Sequence, residues 1–215
     1  MTYSRAVARR RKDAEVRREE ILRATAGVIE ERGTALLRVS DVAQALGVSP
    51  GLVVYHFRTK DALIAETLTF AAQQDLARLT SMTEGMTSAL DRLVAALTWY
   101  APTGTAKGWR LWIENWAAGL RDPALRQVGR ELDLVWKESL TAIIQDGVAA
   151  GEFATEDARG AAWRITALLD GLAVQALVHR GLVRRGELRE WTLRAVATEL
   201  RLDPDRLSAH VRPAP

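Results

Sequence analysis

Seven tryptophans against three phenylalanines, in a chain of 215 residues, are the first hint of chemistry. At 100° per residue, Trp109, Trp112 and Trp116 point within about 60° of one another on a helix. Trp99, Trp136 and Trp163 fall on neighbouring helical stretches and complete an aromatic box. Ring faces with a carboxylate beside them attract an organic cation. Asp170 is the acid that fits, because it interrupts an apolar run and lies seven residues from Trp163, on nearly the same face. Two alternatives stay open here. The indoles can instead pack a core or a dimer edge, and Asp170 can bond across a dimer axis or cap a backbone break beside Gly171. Glu114 lies about 200° from Trp112 and so leaves that face; Arg110, one turn back, is its expected partner.

Catalytic chemistry finds little material. There is no cysteine, which excludes a thiol nucleophile, a disulfide and a thiolate metal site, and three scattered histidines do not suggest a zinc site. His179 and Asp170, nine residues apart, fall on opposite sides of one helix. Neither HExxH nor a phosphate-cradling glycine loop occurs. The expectation is no catalytic residue, no metal and no cofactor; an enzyme would need an unrecognised carboxylate site.

Polyanion binding is better supplied. Residues 1–60 hold twelve Lys or Arg against seven Asp or Glu, a net +5, whereas residues 61–215 hold eighteen against twenty, a net −2. A basic module joined to a slightly acidic one suits nucleic acid at the first part only. Arg9, Arg10, Arg11 and Lys12 sit in a polar stretch, residues 1–15, which is either a solvated terminus or an arm that follows phosphates into the minor groove. Arg17, Arg18 and Arg23 lie off the apolar stripe of the helix expected at 16–32 and face phosphate on this reading. The absence of an apolar leader, and of any apolar run near the roughly 20 residues of a membrane span, points to a cytoplasmic protein with no membrane partner.

The elements that must position these residues are helices. Ser40 is placed to cap a first short helix with Val42, Ala43 and Leu46 on one face, and Gly47 breaks it. Val48 plugs the corner, Ser49 caps a second helix, and Pro50 takes its first position, where a missing N–H costs nothing. That helix runs to about Phe57, and Thr59 caps the next. Helix, glycine turn, helix is the geometry that lays a second helix in the major groove, although an αα-corner in a core has the same shape.

Asp41-Val42-Ala43, Ala45-Leu46-Gly47-Val48-Ser49, Gly51, His56-Phe57, Lys60, Asp61 and Leu63 carry a resemblance to the DNA-binding domain of the TetR family of transcriptional regulators. Val54 stands where that family has Tyr, with Tyr55 next to it, and Leu37 and Arg38 stand where it often has Thr or Ser. In the second helix Leu52, Val53 and Tyr55 are the candidates for base edges and thymine methyls, and Gly51 lets backbone approach. Arg38 and Gln44 are the polar readers, with Ser40, Ser49 and Pro50 at the helix starts, and His56, Thr59 and Lys60 suit phosphate.

Beyond a linking helix at 60–80, with Leu63, Ile64, Leu68 and Leu76 inward, helices are expected near 87–100, 108–120, 123–150, 156–181 and 187–201, with a loop at 101–108. Asp122-Pro123 starts one, Gly151 stops it, Thr155 caps the next, Gly181 ends that one, and Pro204 follows the last. The fold class is all-α with about nine helices. It divides into an arm (1–15), a helix-turn-helix domain (16–62), a helical ligand-binding and dimerisation domain (63–205) and a tail (206–215).

Trp109-x-x-Trp112, Trp116-Ala117, Asp122-Pro123-x-Leu125, Gly147-x-x-x-Gly151-Glu152-Phe153 and Leu169-Asp170-Gly171-Leu172 resemble the C-terminal domain of the choline-responsive, BetI-like branch, which implies a ligand pocket and a dimer. The stretches at 156–181 and 187–201 are apolar enough to pack as four helices across a two-fold axis. The function expected is a regulator, repressing from a palindromic operator in double-stranded DNA until a cationic or aromatic small molecule binds. A nonspecific or architectural DNA binder is the alternative.

Overall fold

The computed structural model describes residues 2–102 and 108–210, with side chains from residue 14 onward. Among them the secondary structure is helical throughout: α1 (Thr2–Arg32), α2 (Val39–Leu46), α3 (Pro50–Phe57), α4 (Lys60–Thr83), α5 (Ala89–Tyr100), α6 (Trp109–Gly119), α7 (Pro123–Ala149), α8 (Ala158–Leu177), α9 (Arg185–Leu200) and α10 (Pro204–His210). Ten helices replace the expected nine. Pro204 is not merely a stop after α9; it is the first residue of α10, whose Leu207 is fully buried. Residues 206–210 are therefore core-anchored helix rather than tail. Arg9 to Lys12 and most of the loop at 101–108 lie outside the described side chains or residues.

The chain forms two compact units, one of Met1–Gln73 with Arg110–Gly129 and one of Gln74–Trp109 with Arg130–Pro215. The junction falls inside α4, and the first unit also takes in nearly all of α6.

In the first unit α1 buries Ile21, Leu22, Val28 and Ile29, and α4 buries Leu63, Ile64 and Leu68. Gly33 ends α1 at φ 80°, a backbone state that an L side chain resists. Beyond it the Glu114 carboxylate accepts from both the backbone N–H and the hydroxyl of Thr34, each at 3.0 Å. Glu114 thus pairs with a residue 80 positions away and not with Arg110, the neighbour that helix periodicity offered.

The second unit is built on one core in which Leu90, Leu93, Trp136, Leu140, Ile144, Ile165, Leu169, Val196, Leu200 and Leu207 meet. Glu152 accepts from the Ser88 hydroxyl and from the N–H groups of Ala89 and Leu90, closing the start of α5. Burial pushes its carboxyl up, but those hydrogen bonds and the nearby Arg206 outweigh this and hold it below the usual range. Gly147 is required by contact, since a Cβ there would sit 2.2 Å from the Phe153 ring.

Helix ends follow the local rules with three corrections. Asp122 caps α7 as expected, accepting from Ala124 and Leu125. Ser40 does not cap α2: the N–H of Asp41 already bonds to the Arg38 carbonyl, so Ser40 lies inside the first turn. Asp157 rather than Thr155 caps α8, accepting from Gly160 at 2.8 Å. That helix stops at Leu177, short of Gly181.

Candidate functional site

The helix-turn-helix is assembled by short-range chemistry. Gly47 takes φ 66°, ψ 32°, and the Val48 N–H returns to the Ala43 carbonyl at 2.9 Å. The Ser49 hydroxyl accepts from Leu52, Pro50 occupies the first turn of α3, and Thr59 accepts from Ala62 to start α4. Each device answers backbone groups that a helix end leaves unpaired.

These turns decide which side chains face outward. Arg38, Ser40, Gln44, Ser49, Pro50, Gly51, Tyr55 and Thr59 are exposed, while Leu52, His56 and Lys60 are half-buried. Tyr55 is 79% exposed, the most exposed large apolar side chain among the described residues. Val53 is 1% exposed and packs inward with Phe57, one helical turn on. Val53 is therefore a core residue and not a base contact; the outward valine is Val54, at 48%. Lys60 reaches back to the Ala35 carbonyl at 3.3 Å.

The described arginines of α1 have partners within the chain, Arg17 and Arg23 at the surface. Arg17 pairs with Glu20 at 2.6 Å and Arg23 with Glu19 at 2.9 Å. Arg18 turns inward, donating to the His56 carbonyl and to Glu66. Burial, then Arg18 and Arg17, hold the His56 imidazole below its ordinary 6.5, so it is neutral at pH 7. A residue that periodicity did not single out is Arg58, exposed at the end of α3 with φ 58°.

The second unit gathers part of the expected aromatic box. Tyr100 stacks on Trp136, ring centroids 4.0 Å apart, and meets Trp109 at 4.7 Å. The Trp109 indole donates to the Tyr100 carbonyl at 2.9 Å. Tyr100 donates its hydroxyl to Asp170 at 3.4 Å. The Trp136 N–H is buried without a hydrogen-bond partner among the described residues. Burial, and behind it Asp133, push the Asp170 carboxyl up to about 6, against the opposing pull of Lys137 and the Tyr100 hydroxyl. The phenol is itself raised well above 10, by burial first and then by Asp170, so it stays a donor.

Not every expected tryptophan joins this cluster. Trp163 is 39% exposed, with Lys137 4.2 Å from its ring centroid and Arg159 at 5.5 Å. Trp99 has Arg78 over its ring at 4.8 Å. Trp112 and Trp116 belong to the first unit. The sequence reading missed Tyr100, Asp133 and Lys137. A usable signal was present for the last two, since an Asp and a Lys four apart flank Trp136 on one helix, and they pair at 2.6 Å.

A helix-turn-helix with an exposed reading face, followed by a helical unit holding an acid and stacked aromatics, defines a DNA-binding regulator with a ligand-binding domain. The family model described as bacterial regulatory proteins, tetR family, matches residues 21–67, and that described as BetI-type transcriptional repressor, C-terminal, matches residues 89–201. The chain belongs to the TetR family of transcriptional regulators. It is 26% identical over 167 residues to the HTH-type transcriptional regulator BetI of Escherichia coli strain K12, covering 75% of this chain and 82% of that one. A TetR-family transcriptional regulator from Rhodococcus sp. is 30% identical, with a TM-score of 0.74 over 86% of this chain and 98% of its own. A transcriptional regulator from Saccharomonospora viridis, solved in complex with choline, is 26% identical, with a TM-score of 0.75 over 83% and 94%.

Proposed function

We propose that this regulator is a homodimeric repressor that leaves a palindromic operator when an organic cation binds at Tyr100, Trp109, Trp136 and Asp170. The observation that carries the reading is the charge balance of that cluster. Two aspartates, Asp133 and Asp170, share the influence of one lysine, Lys137, beside stacked rings. A bound cation relieves the repulsion between the carboxylates and gains the ring faces. The choline held by the Saccharomonospora relative is a ligand of this class.

Dimerisation is supported by α8, which with its C-cap Val178 leaves Trp163, Ala167, Gly171 and Val178 exposed along one face. Trp191 of α9 is also 45% exposed, whereas Leu188, Leu193, Val196 and Leu200 are buried within their own chain. One reading helix covers too little DNA for tight specific binding, so two copies on a palindrome are required. Arg38, Gln44 and Tyr55 read bases, and Thr59, Lys60 and Arg58 meet phosphate. Among the described residues no helix is long and apolar enough to cross a membrane, and the cytoplasm is the compartment where such a regulator meets DNA. Ligand binding tilts α4 and changes the spacing of the two reading helices, and coupling requires that DNA weaken ligand binding by the same factor.

The test begins with selection from sheared genomic DNA at about 150 mM salt, where nonspecific retention is weak. One or a few palindromic sites are expected. Choline and other organic cations are then titrated against the retained site while tryptophan fluorescence is followed. Saturating cation that changes neither fluorescence nor operator affinity defeats the effector assignment.

A further inference from the structure

The reading helix is too short to hold itself. α3 has eight residues, fewer than the roughly 12 at which an isolated helix becomes even marginal in water. Its first turn is secured from within by Ser49 and Pro50. Its last turn is secured from outside, by one side chain of α1. Arg18 donates Nη1–H to the His56 carbonyl at 2.9 Å, lays its guanidinium 4.4 Å from the centroid of the buried Phe57 ring, and donates Nη2–H to Glu66 of α4. A guanidinium is planar, with its donors in a rigid fork, so a single residue ties three helices at fixed angles.

The chosen acceptor is informative. The His56 carbonyl is one of the last four of α3, which the helix cannot pair for itself. A cation there also meets the negative end of the helix dipole. Immediately beyond, the chain turns through Arg58 at φ 58°, with the Thr59 N–H returning to the Phe57 carbonyl at 2.6 Å. Such a turn is costly for a side chain other than glycine and persists where its surroundings over-determine it.

We propose that Arg18 is a positioning residue for DNA reading: it sets the height and rotation of the last turn of α3, and so of Tyr55 and His56, and makes no phosphate contact itself. Its charge is matched by Glu66 and one face of its plane is covered by Phe57. Arg38, exposed at the start of α2, is the contrasting case of a basic side chain open to DNA. The proposal rests on α3 being the helix that reads DNA.

The experiment uses the full-length protein and compares Arg18→Met, Arg18→Lys, Glu66→Gln and Arg38→Ala. Affinity is measured across a salt series for the selected operator and for a random-sequence duplex. Arg18→Met is expected to lose about tenfold on the operator, the scale of one charge-assisted hydrogen bond, with little loss on random duplex and an unchanged salt slope. Arg38→Ala should weaken both duplexes and lower the slope by about 1. Arg18→Lys should resemble Arg18→Met, because an ammonium keeps the charge but not the fork. Glu66→Gln reverses the electrostatic expectation: loss of a carboxylate alone would tighten all DNA binding, whereas a loosened Arg18 lowers the preference for the operator.

Equal losses on both duplexes with a reduced slope in Arg18→Met, or equal tightening in Glu66→Gln, overturn the proposal. Hydrogen exchange without DNA gives a separate reading. Arg18→Met should speed exchange in the segment 54–59 and leave α8 and α9 unchanged; unaltered exchange at 54–59 also overturns it. If Arg18→Met does not fold, Arg18→Lys and Glu66→Gln decide. If the unaltered protein prefers no site, the DNA-reading assignment fails by itself, and exchange still decides the role of Arg18.

Discussion

The rings of Tyr100 and Trp136 lie 4.0 Å apart at 22°, so the phenol that bonds Asp170 is held by an indole whose own N–H has no partner among the described residues. The pair joins α5 to α7 and brings an aromatic face, a hydroxyl donor, a free donor and an acid with a raised pKa to one place. On the proposed reading, an organic cation that also carries an acceptor oxygen would meet the Asp170 carboxylate with its charge and the Trp136 N–H with its oxygen, the Tyr100 hydroxyl being already given to Asp170.

If the proposed cation site is right, Asp170 should make effector binding depend on pH. Its carboxyl is pushed from 3.8 up to about 6. The stability contributed by its raised pKa is fully present below about 3.8 and is lost as pH rises through about 6, where a buried charge beside Asp133 must form. A cation favours that charged form. Its affinity should therefore rise as pH climbs towards 6 and level off above, while Asp170→Asn flattens the profile. Isothermal titration at pH 5, 6 and 7.5, about the carboxyl's pKa and to either side of it, checks this, and an unchanged profile in Asp170→Asn removes Asp170 from the site.

Val53 and Tyr55, two positions apart, should fail in opposite ways. Val53→Ala opens a cavity in a site 1% exposed and should cost about 2 kcal/mol of stability. Tyr55→Ala should leave thermal unfolding unchanged and alter sequence preference, whereas Lys60→Ala weakens all sequences and reduces the salt slope. Equal losses for Tyr55→Ala on every operator variant would remove it from base reading.

Glu152 should govern part of the acid limb of stability. Its folded pKa lies below the ordinary 4.5, so its contribution is present above that value and lost as pH falls beneath it. Glu152→Gln should cost about 1 kcal/mol at pH 7 and converge with the unaltered protein in acid. Denaturant midpoints compared at neutral and acid pH measure it; a constant difference refutes the assignment.

Gly33→Ala should destabilise by about 1–2 kcal/mol through its left-handed backbone and through a Cβ placed 2.7 Å from Glu114 Oε1. Combined with Glu114→Ala, the contact part should vanish and the backbone part remain. A double variant no better than additive would show that only the backbone matters.

Sequence alone determined what is settled within a few residues of chain. Ser49 and Thr59 each accept from an N–H three positions on, Gly47 takes the left-handed turn that ends α2, and Pro50 occupies the first position of α3, as those rules require. Asp122-Pro123 opens α7 for the same reason. The all-helical class followed from periodicity, and the TetR resemblance rested on those same short-range positions.

Only the tertiary structure decided partners that distant helices bring together. Arg18 meets His56 and Glu66 at separations of 38 and 48 residues, and Glu114 meets Thr34 at 80. Tyr100 meets Asp170 at 70. Helix periodicity shows that a side chain leaves the apolar stripe; it does not show whether phosphate, solvent or another helix awaits it. The valines of α3 make the same point. At adjacent positions periodicity offers Val53 and Val54 almost equally to the groove, and packing chose by burying the one that fits with Phe57. Local chemistry names the helices and their ends, while the free energy of burying particular faces against one another assigns each charged or aromatic side chain its neighbour.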